Sequence, residues 1–145
     1  IKESSIPHSI VHATQFFEFV NGMIDDASVK DGTTGGNTVR VPPVLIQPMA
    51  AEDVAIAVAR VATGSPLNGT VEVGGPEQFH YDELLRRALR ARNVPRQVLV
   101  DPKATYFGAE VTERTLVPGK NALLGKIRFD DWLRGSQQAT VAAKS

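Results

Sequence analysis

The chain has 145 residues, 42% of them hydrophobic, which suffices for one buried core and makes a single domain the starting expectation. Its 16 basic and 16 acidic residues cancel, so no net field steers nucleic acid or an anionic membrane surface towards it, and neither is expected as a partner. Without cysteine there are no disulfides or thiolate metal sites, and with no long apolar run or signal-peptide pattern the expected compartment is the cytoplasm.

In chain order, Ile1 to Ser5 reads as the polar end of a helix or the loop after it. The missing initiator methionine suggests a processed, truncated or excised product. Pro7 forbids a continuing helix and pushes Ile6 towards extended geometry. Ser9 to Thr14 is then a short, largely β-branched run, the pattern of a strand buried in a parallel sheet. No comparable strand precedes it, so its neighbours are expected in missing sequence or in another chain. Phe16, Phe17, Phe19, Val20, Met23 and Ile24 predict a helix with a broad apolar face. Residues 28–37 read as a loop, with Gly32 to Gly36 its flexible centre. Thr38 to Val41 alternates as a half-exposed strand stopped by Pro42-Pro43, and Val44 to Gln47 is a second short strand.

A helix is expected from about Ala50, where Glu52 and Asp53 complement its positive end, to Gly64, with Val54, Ala55, Val58, Ala59 and Ala62 as its stripe. Asn68-Gly69 is a turn signal before the strand Val71 to Val73. Tyr81 to Arg92 is the clearest helix, with Leu84, Leu85, Ala88 and Leu89 on one face and Asn93 and Pro95 at its end. Gln97 to Val100 reads as a strand. Beyond Pro102 the pattern is irregular until a short closing helix over Phe129 to Leu133, and residues 136–145 read as a frayed tail. The fold class is α/β, with residues 1–135 as one unit.

Several of these segments, in this order, resemble NmrA-like atypical short-chain dehydrogenases/reductases. They are the run Ile6 to Phe19, Ile46-Gln47-Pro48-Met49 leading into Ala50 to Ala55, Gly74-Gly75-Pro76-Glu77 before Tyr81-Asp82-Glu83-Leu84, and Phe129 to Leu133. His12-Ala13 stands where Arg-Pro is common in that family. The resemblance implies the C-terminal part of a Rossmann-like, doubly wound sheet plus a small substrate-side α/β region, with the N-terminal nucleotide-binding half absent. No glycine-rich phosphate turn occurs on a strand-turn-helix here, and neither Tyr81 nor Tyr106 has a lysine four residues on. The family's acid-base pair is therefore expected upstream.

By the same resemblance Ala13, Thr14, Gln15, Phe16 and Phe17 would lie along the nicotinamide of NAD(P), and Phe19, Met49 and Phe107 would form a substrate wall. Each has a plainer reading: the phenylalanines fill a core, and Thr14 or Gln15 caps a helix. The implied parent is an NAD(P)-dependent oxidoreductase acting on a small carbonyl or quinone-like molecule. This chain alone would be inactive, hold the dinucleotide weakly, and partner its missing half or a second copy. The alternatives are a non-catalytic NAD(P) sensor or a folded remnant serving as an interaction module.

Other constellations carry less. His8 and His12 sit four apart on a strand, whereas paired metal ligands at that spacing want a helix and a third donor. The acidic pairs Asp25-Asp26, Glu52-Asp53, Asp82-Glu83 and Asp130-Asp131 mostly fall where helix ends favour negative charge. Arg86 to Arg92 with Arg96 could touch phosphates, but a solvated helix face is the expectation.

Overall fold

The computed structural model describes residues 3–30 and 37–144. Its elements are β1 (Ser9–Ala13), a 3-10 turn (Phe17–Phe19), α1 (Val20–Ala27), β2 (Ser28–Lys30), β3 (Asn37–Val41), β4 (Leu45–Ile46), α2 (Ala51–Thr63), β5 (Gly69–Gly74), β6 (Phe79–His80), α3 (Tyr81–Ala91), β7 (Val98–Val100), β8 (Leu123–Leu124) and α4 (Phe129–Lys144). The fold is mixed α/β: four helices with three small sheets among the described residues. One sheet is all parallel, in the order β1-β5-β8. A second has order β2-β3-β7, with β2 antiparallel and β7 parallel to β3, and β4 pairs antiparallel with β6. No described helix is long and apolar enough to cross a membrane.

The core gathers around α3. Its strong amphipathic spacing buries Tyr81, Leu84, Leu85, Ala88 and Leu89 against Phe17, Val20, Met23 and Ile24 of the first helical segment. Val39 and Val41 of β3, Ile46 of β4, and Phe129 and Leu133 of α4 close it. Phe17, Phe129 and Trp132 pack ring to ring, with centroids 5.1–6.0 Å apart. α3 ends in a complete left-handed cap. Asn93 has φ +55°, its N–H reaches the Arg90 carbonyl at 3.0 Å, and the Val94 N–H reaches Leu89 at 3.0 Å.

The parallel sheet is peripheral. β1 contributes no fully buried residue, and its edge away from β5 is unpaired among the described residues. α2 packs against it, yet Asp53 is the one buried residue of the helix and Ile56 and Val58 are about half exposed. A parallel sheet normally has helices on both faces. Here His12, Thr70 and Glu72 are exposed on the face opposite Val71 and Val73.

The structure departs from the sequence reading at several points, among them the two-residue β6 where no strand is expected and a β1 that is only half-buried. β1 does have one neighbour inside the chain, β5, whose pairing spans 60 residues in register and is invisible to local pattern. Residues 28–30, read as loop, form β2 because β3 offers an antiparallel edge; the glycine-rich centre of that segment, residues 31–36, lies outside the described residues. The two-residue β8 lies in the stretch read as irregular, too short to show a period. The closing helix continues through the segment read as a tail, with the Ser136 hydroxyl on the Leu133 carbonyl and that of Thr140 on Ser136.

Candidate functional site

β1 and β5 run in register from Ser9↔Gly69 to Ala13↔Val73, so their carboxyl ends coincide. That end of an open parallel sheet is where ligands usually sit. Beyond Ala13 the chain is held tightly: the Thr14 N–H donates to Val73 O at 3.0 Å and its hydroxyl to Gln47 O at 2.6 Å. The next residues run beside 47–49, with Met49 N–H on Gln15 O at 2.8 Å and Phe17 N–H on Met49 O at 2.9 Å. Gln47 closes the arrangement by donating its amide to Gly75 O at 2.8 Å and accepting the Gly75 N–H at 3.1 Å. These contacts require glycine at 75, where a Cβ would overlap the Pro48 carbonyl. At 74 a Cβ would stand 2.8 Å from Pro118.

The result is a cavity of about 220 Å³ lined by His12, Ala13, Thr14, Gln15, Glu72 and the segment 115–119. Glu72 anchors that segment by accepting the Gly119 N–H at 2.5 Å. The Gln15 side-chain oxygen is buried without a hydrogen-bond partner. Leaving such an acceptor unpaired costs about 1–3 kcal/mol, so this position is unfavourable unless something else donates to it. The lining has no lysine or arginine and carries the Glu72 carboxylate. It suits an uncharged donor group and disfavours phosphate.

The eight residues singled out from sequence thus divide. Ala13, Thr14 and Gln15 line one cavity. Phe17 is a core residue, and Phe16 stacks on the exposed Phe19 at 5.7 Å. Met49 is buried, bridged to Phe16, and lines a different cavity beside α2. Phe107 stands elsewhere, beside Tyr106, in a tight turn with φ +46° that its N–H fastens to the Asp26 carboxylate at 2.9 Å. Sequence reasoning missed Glu72 and residues 115–119. The alternation Val71-Glu72-Val73 could have placed Glu72 on the face away from α2, but its alignment with His12 follows only from the long-range register.

Neither tyrosine lies at this cavity. Tyr81 is buried in the core with its hydroxyl unpartnered, and burial, then Tyr106 and Asp26, push its pKa far above the ordinary value. Burial, then Asp26, pushes Tyr106 up to about 12. The α3 arginines are engaged by carboxylates: Arg86 with Asp82, Arg87 with Glu83 and Asp130, Arg90 with Glu83. Among the described residues no cluster of acidic and histidine side chains could hold a metal ion. No family model, curated protein or solved structure matches the chain.

Proposed function

We propose that this chain forms the C-terminal, nicotinamide-side part of an NmrA-like NAD(P)-dependent oxidoreductase of the short-chain dehydrogenase/reductase kind, acting on a small carbonyl or quinone-like substrate. The observation that carries the reading is the cavity at the coincident carboxyl ends of β1 and β5, lined by Ala13, Thr14 and Gln15. Its size supports one end of a dinucleotide, since pockets enclosing a whole ligand of that class reach several hundred Å³ or more. Gln15 lines the cavity, and its amide is of the side-chain type that hydrogen-bonds a carboxamide. The absence of cationic lining agrees with a pyrophosphate held elsewhere, on a glycine-rich turn that these 145 residues do not contain. On this reading the edge of β1 that is unpaired among the described residues is where a further strand would pair.

A second reading, a non-catalytic NAD(P) sensor, is favoured by one observation: neither the buried Tyr81 nor the half-buried Tyr106 lines the cavity, so no phenolic acid of this chain reaches it. Complementation tests both. Supplying an NmrA-like N-terminal half, fused or as a separate chain, is expected to bring NAD(P)H binding into the micromolar range. Gln15→Met should then weaken it by about tenfold without loss of thermal stability. Binding with hydride transfer supports the enzyme, and binding without it the sensor. No gain in affinity on complementation would refute both.

A further inference from the structure

A second cavity, of about 140 Å³, lies between α2 and β8. The fully buried Val73 and Met49 form its floor. Val73 and Glu72 are consecutive on β5 and project to opposite faces, so this cavity is separated from the Glu72 cavity by the sheet. Ile56, Leu123 and Leu124 form its apolar wall although they are 48%, 50% and 56% exposed. Scattered exposed apolar residues are ordinary, but three around one concavity with a buried apolar floor make a site.

The rim adds charge. Arg60 and Lys126 border the cavity, and neither belongs to an ion pair among the described residues. The acidic lining group, Asp53, is turned onto backbone: its Oδ2 accepts the N–H groups of Lys126 and Ile127, both at 2.8 Å. A Cβ at Gly125 would overlap that carboxylate. The rim therefore presents two cations, unpaired among the described residues, over an apolar hollow, the complement of a molecule with one anionic end and a short hydrocarbon body.

We propose that this cavity binds a monomeric aliphatic carboxylate, with its chain on Val73 and Met49 and its carboxylate between Arg60 and Lys126. The volume is well below the roughly 300–1,000 Å³ typical of drug-sized ligands, which limits the chain to about six to eight carbons. This inference is independent of the dinucleotide reading.

The test is titration of the 145-residue chain with butanoate, hexanoate and octanoate at neutral pH, followed by calorimetry and by NMR shifts of Val73 and Met49. Affinity should rise roughly fourfold per added methylene along the series. Octanol and octylammonium should bind about tenfold more weakly than octanoate. The exposed pair Arg60→Gln with Lys126→Gln should reduce octanoate binding by about tenfold and leave octanol unchanged. Ala57→Leu, which fills the hollow from α2, should abolish binding of both. Octylammonium binding as tightly as octanoate, or undiminished octanoate binding by the double variant, would overturn the proposal. So would association with phosphatidylglycerol vesicles in the absence of any monomeric octanoate binding, because the surface would then be a membrane contact.

Discussion

At the scale of single residues, two positions have consequences that measurement can separate. Gly75 is wedged against the backbone of Pro48, so Gly75→Ala must push apart the segments that shape the Gln15 cavity. We expect a loss of about 1–3 kcal/mol in urea unfolding, and a wild-type denaturation curve would contradict the packing described. Tyr81 carries a buried hydroxyl with no partner, so Tyr81→Phe is expected to raise stability, by about 1 kcal/mol or more. The same residue governs alkaline behaviour. Both tyrosines have folded pKa values above the ordinary value of 10.0, so the folded state retains protons that the unfolded chain releases. Below pH 10 both groups are protonated in either state and stability does not change with pH on their account; as pH rises from 10 through about 12 stability falls, by up to about 1.4 kcal/mol per pH unit for each tyrosine. Denaturant melts across this range should show the decline, at about half the slope in Tyr81→Phe; equal slopes would mean that Tyr81 ionises freely.

At the scale of elements, what the sequence makes legible is what local physics determines. α3 is read correctly because its stripe is strictly amphipathic and Asn93-Val94-Pro95 ends it by a left-handed cap. Leu85→Ala or Leu89→Ala should therefore cost about 2–5 kcal/mol, and unchanged melts for both would mean that α3 does not anchor the core. α2 is legible as a helix but misleading as a core element. Its apolar stripe suggests burial, whereas its one buried residue is Asp53, held by the backbone at 126 and 127. β2 and β8 are illegible because short strands exist by virtue of their partners. The site shows the same division. The turn Ala13 to Gln15 is legible as the end of a strand, but Glu72 and residues 115–119 join it through β1–β5 pairing and one long-range hydrogen bond. For Phe16, Phe17 and Phe19 the spacing favours core filling over a site role; the structure puts Phe17 in the core and leaves Phe19 exposed.

At the scale of the whole molecule, the main asymmetry is between a well-packed region around α3 and a parallel sheet that, among the described residues, has an unpaired edge and an exposed face. Each buried, unpaired backbone group along such an edge would cost about 1–3 kcal/mol, which favours pairing with another strand. The isolated chain is accordingly expected to associate at micromolar concentration, and light scattering that shows a compact, stable monomer would contradict this. On the proposed reading a dinucleotide finds one cavity here, at Ala13 to Gln15, with no cationic lining for its phosphates. One cavity, with a few hydrogen bonds, must offset an association cost of about 4–15 kcal/mol, so binding should be feeble. Isothermal titration of NADPH into the isolated chain tests this most directly. Affinity no tighter than millimolar is expected, and micromolar binding by the isolated chain would refute this reading.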